Sequence, residues 1–130
     1  MIVVDTSVWI AARRQPHVEK PLQELLEADE VAIALPVRLE LWAGVAKHDR
    51  KAHRIVFSAL PQLVPTEDTW RPLSDWIARA ADAGERFTVT DLIIASLATE
   101  IGGLVWSLDK DFERMERLNI VSLYAPQSHH

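Results

Sequence analysis

No cysteine occurs among the 130 residues, which excludes disulfide scaffolds and thiolate metal sites. Long hydrophobic runs are absent too. Stretches such as Leu92 to Ala95 fall far short of the ~20 apolar residues a membrane-spanning helix needs. Asp5 interrupts Met1-Ile2-Val3-Val4 at once, so the N-terminus does not read as a signal peptide, and a soluble, cytoplasmic domain is expected. No internal repeat or low-complexity segment is present. His48 and His53 lack the spacing of a zinc-binding pair. Basic residues are in deficit, 14 against 19 acidic, for a net charge of −5. That balance argues against a protein that coats nucleic acid by bulk charge, though not against one that cuts it.

What is present is an alternation of short apolar strands with helices. Ile2-Val3-Val4 and Val31 to Leu35 read as strands buried on both faces. Gln62-Leu63-Val64, Leu104 to Ser107 and Ile120 to Leu123 read as three more. Helices are expected from Thr6, over Glu19–Glu27 with Pro21 in the first turn, through Pro36–Trp42, and over Asp49–Leu60. A further helix over Thr69–Ala83 would carry Trp70, Leu73, Ile77, Ala80 and Ala81 on one stripe. The helix from Thr90-Asp91 through Ile101 is apolar nearly all round and so should be buried; a short one covers Asp111–Arg117. This order predicts one α/β domain over residues 1–124 with a mainly parallel five-stranded sheet and right-handed crossovers. Residues 125–130 read as a flexible tail in which His129-His130 could be a tag remnant.

Ligands of open α/β sheets bind beyond the carboxyl ends of the strands, and several acids fall there. Asp5 follows the first strand directly. Glu40 lies on the helix after the second, beside Gly44 and the Val37, Leu41, Val45 stripe, which predicts a half-buried side chain. Asp109 and Asp111 follow the fourth strand. Asp91 stands at the start of the buried helix, and only helix packing could carry it to the same edge. Each has an ordinary alternative: Asp91 complementing a helix dipole, Asp5, Asp109 and Asp111 capping helices or turns, Glu40 facing solvent. As a set they would repel one another strongly unless a cation sits among them. Oxygen ligands of this kind suit Mg²⁺ or Mn²⁺, and such ions support phosphodiester cleavage. The five carboxylates equal the whole net charge of −5.

Positive charge concentrates in Lys47 to Arg54. Arg50, Lys51 and Arg54 there, with Arg13 beyond the first helix, are candidates for holding nucleic-acid phosphates; a solvated helix face is the alternative. Five tryptophans are expected mainly in the core, with Trp9 and Trp42 also candidates for a protein interface.

Four stretches resemble the PIN-domain ribonucleases, specifically the VapC-type toxins of bacterial toxin–antitoxin pairs. They are Val3-Val4-Asp5-Thr6-Ser7-Val8-Trp9, Leu39-Glu40-Leu41-Trp42-Ala43-Gly44, Thr90-Asp91-Leu92-Ile93-Ile94-Ala95 and Ser107-Leu108-Asp109-Lys110-Asp111-Phe112. No one of them is specific, but all four occur in order across nearly the whole chain. The resemblance implies a three-layer α/β/α fold and a metal-dependent endoribonuclease using Mg²⁺ or Mn²⁺. It also implies a homodimer neutralised by a VapB-type antitoxin. Carried over by position, Asp5, Glu40, Asp91 and Asp109 form the catalytic quartet, and Asp5, Asp91, Asp109 and Asp111 the metal ligands. Thr6, Ser7 and Ser107 are supporting hydroxyls. Ser107 stands where the family often has threonine. The competing reading is a PIN-fold interaction module that binds a partner without cleaving RNA. Aspartyl-phosphate receiver domains do not fit, because Asp5 has no neighbouring acid.

Overall fold

The computed structural model describes residues 1–126; the remainder of the expected tail, residues 127–130, lies outside the described residues. Four parallel strands, β1 (Ile2–Val4), β2 (Val31–Ala34), β3 (Gln62–Leu63) and β4 (Leu104–Trp106), are ordered β3-β2-β1-β4. Every residue of β1 and β2 is buried. Successive side chains of a strand point to opposite faces, so helices must cover both sides of the sheet, giving the expected layered α/β architecture. The register sets Ile2 against Val31 on one side and Leu104 on the other.

The fifth strand is a correction. Ile120 to Leu123 contributes only an isolated bridge between Val105 and Leu123, held by Val105 N–H to Ser122 O at 3.0 Å and Tyr124 N–H to Val105 O at 2.8 Å. The chain approaches β4 through Asn119, whose φ of 60° turns it just before the bridge. Two hydrogen bonds do not extend into a ladder.

Among the described residues, eight α-helices accompany the strands: α1 (Thr6–Ala12), α2 (Pro16–Glu27), α3 (Leu35–Ala43), α4 (Arg50–Ser58), α5 (Glu67–Trp70), α6 (Leu73–Asp82), α7 (Val89–Glu100) and, after the last strand, α8 (Lys110–Arg117). In α2 it is Pro16, not Pro21, that occupies the first turn. Pro16 wastes no hydrogen bond there, whereas Pro21 inside the helix leaves the carbonyl of exposed His17 without its helical partner. The expected single helix over Thr69–Ala83 is broken at Arg71-Pro72 into α5 and α6. Thr66 and Thr69 close a reciprocal capping box that starts the first piece early. The break also resets the apolar stripe. Leu73, Trp76 and Ala80 are buried, while Trp70 and Ile77 remain about half exposed at 50% and 49%, and Ala81 is exposed.

The core runs through Val3, Val4, Ile33 and Val105 of the sheet and the α7 side chains from Leu92 to Ala98. Helix α7 is buried as its composition predicts. Its one buried hydroxyl, Ser96, donates to the Thr69 carbonyl at 2.6 Å and so ties α7 to α5 without leaving an unpaired polar group. From β1 the chain crosses to β2 on one side, and β4 later joins on the other. The carboxyl ends of β1 and β4 therefore flank a topological switch point, where an open sheet leaves a crevice.

Candidate functional site

Asp5 closes β1 and Ser107 follows β4, so both stand at that crevice. The Asp5 amide donates to the Trp106 carbonyl at 2.9 Å, extending the strand pairing by one bond. Asp5 precedes α1 at the cap position but makes no capping bond with its side chain. Its carboxylate is 7% exposed, and burying a charge demands hydrogen-bond partners. Oδ2 accepts from the Ser7 hydroxyl at 2.9 Å and from the Ser107 hydroxyl at 2.8 Å. Each serine oxygen accepts in turn from the backbone: Ser7 from the Leu108 amide and Ser107 from the Asp109 amide, both at 3.0 Å. Two parallel relays thus run from the loop after β4, through a hydroxyl, to one carboxylate oxygen. They fix Asp5 and the β4–α8 loop against one another.

Asp109 caps α8, its Oδ1 accepting from the Asp111 amide at 2.9 Å. The ordinary reading of this residue is therefore correct for one of its oxygens. Asp91 is brought across by α7. The Thr88 hydroxyl accepts from the Asp91 amide at 3.1 Å and starts that helix with the Asp91 side chain half-buried. Asp91, Asp109 and Asp111 each present a carboxylate oxygen, all within 4.8 Å of one another. Burial first, then the charges of Asp5, Asp109 and Glu40, raise the Asp91 carboxyl from 3.8 to about 6, against the lowering effect of its hydrogen bond with the Thr88 side chain. Four of the predicted acids are thus electrostatic neighbours, with Asp111 among them by distance. Three form the tight group, and Asp5 adjoins it.

Glu40 is exposed rather than half-buried. Leu35, expected to close the second strand, instead starts α3 directly after β2 with Pro36 in the first turn, and the resulting helix phase buries Val37 and Leu41 and turns Glu40 outward. Its charge still reaches Asp91. Thr6 places its hydroxyl oxygen where solvent does not reach, with no hydrogen-bond partner. A buried unpaired hydroxyl, an all-oxygen donor set and crowded carboxylates fit a hard divalent cation.

Sequence reasoning missed Arg114. Its guanidinium pairs with the Asp111 carboxylate one helical turn earlier, and its Nε stands 3.0 Å from Glu85 Oε2. The Asp-x-x-Arg spacing within α8 was the available signal.

The predicted phosphate-binding residues gather on another flank. Arg54 lies over the Trp42 ring at 4.8 Å and Arg50 at 6.0 Å. Below them a ladder of rings descends: Trp42 to His53 at 5.6 Å, His53 to Phe57 at 4.3 Å, Phe57 to Trp9 at 4.8 Å. The Trp9 indole N–H donates to the Val4 carbonyl at 3.2 Å, one residue before Asp5. Beside the ladder opens a groove of about 650 Å³ whose wall includes Arg13, Leu41, Val56 and His53. Burial, then the charges of Arg38 and Arg13, hold the His53 imidazole below its usual pKa. Lys51 is exposed on the same helix.

Comparison with known proteins follows the same lines. The PIN domain family matches residues 2–118. Ribonuclease VapC18 of Mycobacterium tuberculosis (strain ATCC 25618 / H37Rv) is 30% identical over 117 residues, covering 86% of this chain and 85% of that protein. Among solved structures, VapBC2 from Rickettsia felis bound to a DNA fragment from their promoter superposes with a TM-score of 0.73 at 18% identity, covering 95% of this chain and 98% of that one. VapBC-5 from Mycobacterium tuberculosis, a member of the VapBC family of toxin–antitoxin systems, superposes with a TM-score of 0.61 at 26% identity, covering 88% of this chain and 89% of that one. No helix among the described residues is long and apolar enough to cross a membrane.

Proposed function

The chain belongs to the PIN domain family, as a VapC-type member, and on that premise we propose that it is a divalent-cation-dependent endoribonuclease toxin acting on structured RNA such as tRNA or rRNA. The observation that carries this reading is the convergence of Asp91, Asp109 and Asp111 within 4.8 Å at the end of the sheet, beside the buried Asp5. These four would hold Mg²⁺ or Mn²⁺. A bound ion of this class neutralises charge on a phosphoryl oxygen and lowers the pKa of water.

The side chains divide the remaining work. Ser7 and Ser107 occupy Oδ2 of Asp5 and fix its rotamer, which leaves Oδ1 without these two donors. Glu40, exposed beside the cluster, accepts the proton released when water attacks phosphorus. Arg13, Arg50, Lys51 and Arg54 hold phosphates of the flanking RNA, with Trp42 restricting the two stacked guanidiniums. Cleavage of this kind leaves a 5′-phosphate and a 3′-hydroxyl and does not use the RNA 2′-hydroxyl as nucleophile. Similarity to VapBC toxin–antitoxin structures supports a cognate VapB-type antitoxin as the neutralising partner; a homodimeric toxin working in the cytoplasm is the remainder of the proposal.

The test is cleavage of a structured RNA by purified protein with Mg²⁺, Mn²⁺ or EDTA, with the product ends mapped. Cleavage is expected only with metal. Equal cleavage in EDTA, or by Asp5→Asn and Asp91→Asn variants, overturns the proposal.

A further inference from the structure

Carboxylates this close normally need an opposite charge even before a ligand arrives. Arg114 supplies one. The side chains of Arg114, Asp111 and Glu85 are about one-third exposed at 33%, 27% and 33%, so water screens their pairing less than it screens a surface ion pair. Asp111 lies in the first turn of α8 and Arg114 one turn later on the same face, an arrangement the helix itself imposes. The opposite end of the contact reaches a different element. Glu85 follows the left-handed Gly84, at φ 74°, and its amide donates to the Ala80 carbonyl at 2.8 Å, which anchors the turn leaving α6. Three residues later Thr88 caps α7 and sets the position of Asp91. The Arg114–Glu85 contact is a charge pairing rather than an aligned hydrogen bond, since Nε has no hydrogen-bond partner. One guanidinium therefore spans the acid that belongs to the cluster and an acid on the turn leading to Asp91.

We propose that Arg114 is the resident counter-ion of the carboxylate cluster: it balances Asp111 in the metal-free protein, and its charge, itself tempered by Glu85, sets how tightly a divalent cation binds beside it. Arg114 is on this account a positioning residue that acts through Asp111. The inference rests on the reading of the cluster as a cation site. It also divides the acids by role. Asp91 and Asp109 are free of any ion pair among the described residues and make the cation's principal contacts, while Asp111 is shared between the cation and Arg114.

The roles of Arg114 and Glu85 have opposite signs, which separates this inference from a plain structural ion pair. The measurements are the Mn²⁺ dissociation constant, by loss of the free Mn²⁺ electron paramagnetic resonance signal, and the thermal midpoint in EDTA and in saturating Mn²⁺. Arg114→Met removes the charge and keeps most of the unbranched stem. It is expected to lower the midpoint in EDTA, to recover a larger part of that loss in Mn²⁺ than wild type gains, and to tighten Mn²⁺ binding about two- to fivefold. Glu85→Gln leaves Arg114 untempered and is expected to weaken Mn²⁺ binding by a similar factor, while Arg114→Lys stays near wild type. Equal midpoint losses in EDTA and Mn²⁺, or Mn²⁺ affinity unchanged in both Arg114→Met and Glu85→Gln, overturn the inference and leave the cation site standing. Should Arg114→Met not fold, Glu85→Gln against Arg114→Lys decides by the same criterion. Wild-type protein that takes up no Mn²⁺ removes the cation site and this inference together.

Discussion

Ser7 and Ser107, one hundred positions apart in the chain, bring their hydroxyl oxygens to 3.3 Å and both donate to the same oxygen of Asp5. Hydrogen bonds to a charged acceptor contribute about 1.5–3 kcal/mol each, but these two share one acceptor and one loop. Replacing either serine by alanine leaves Asp5 with the other donor and costs about 1 kcal/mol of folding stability. The double variant strands a buried carboxylate and leaves the exposed Leu108 and Asp109 amides to water. Its loss should exceed the sum of the single losses by about 0.5–3 kcal/mol, read from urea unfolding midpoints at constant slope. Strict additivity would show that the two relays are independent.

The raised carboxyl of Asp91 gives stability a pH dependence of unusual sign. Its ordinary value is 3.8 and its value in the fold is about 6, so the folded state holds this proton more tightly than the unfolded one. The associated stabilisation is full below 3.8 and is lost as pH rises through about 6 in metal-free protein. Asp91→Asn should remove that component of the slope and stabilise the metal-free protein at neutral pH. Cation binding requires the carboxylate, so divalent affinity should fall as pH drops below about 6. Thermal melts from pH 4 to 8, with EDTA and with Mn²⁺, test both statements.

Arg54 is held over Trp42 before any RNA arrives. Replacing Arg54 or Arg50 by alanine should weaken RNA binding about equally across sequences and reduce the slope of log affinity against log salt by about 0.7–1 per charge removed. Trp42→Leu keeps both charges but removes the shelf, and should weaken binding with little change in that slope. Filter binding over a salt series distinguishes the two. Unchanged affinity in all three variants returns α4 to a solvated face.

Gly103 leads into β4 against the first residue of the chain. A Cβ there would stand 2.8 Å from the Met1 carbonyl oxygen, the atom that accepts from the Leu104 amide at 3.1 Å. Backbone cannot yield as a side chain does, so Gly103→Ala should cost about 1–3 kcal/mol. Because β1 and β4 carry Asp5 and Ser107, the loss should include divalent affinity. A denaturation midpoint equal to wild type would contradict the close approach.

The legible parts of this fold were those set by local composition. Buried strands read as apolar runs, and α7 reads as a helix with no polar face. Features depending on how elements lie against one another were not legible. Pro72 was compatible with one helix beginning early or with two helices, and the capping box at Thr66 and Thr69 decided for two. The phase of α3 turned Glu40 outward, to the side of exposed Gly44, although Val37 and Leu41 are buried. Ile120 to Leu123 has strand composition, yet forms one bridge. In the site, the identities of Asp5, Asp91, Asp109 and Asp111 could be read, and Asp91 needed α7 packing to join them. Arg114 went unread because an i,i+3 ion pair looks the same whether or not an active cluster lies beside it.

The acids at this centre come from residues 5, 40, 91, 109 and 111, which has a consequence in time. A chain emerging during synthesis carries Asp5 from the start, but no member of the tight cluster until α7 is made, and not the last pair until the chain has passed β4. Closing the long loop between β1 and β4 is entropically costly and is compensated only when the sheet is complete. A product truncated at the end of β4 lacks Asp109 and Asp111, so the carboxylate cluster is complete only once β4 and the start of α8 are in place. For a protein whose activity would harm the cell that makes it, that delay gives a partner time to be present when the centre first forms.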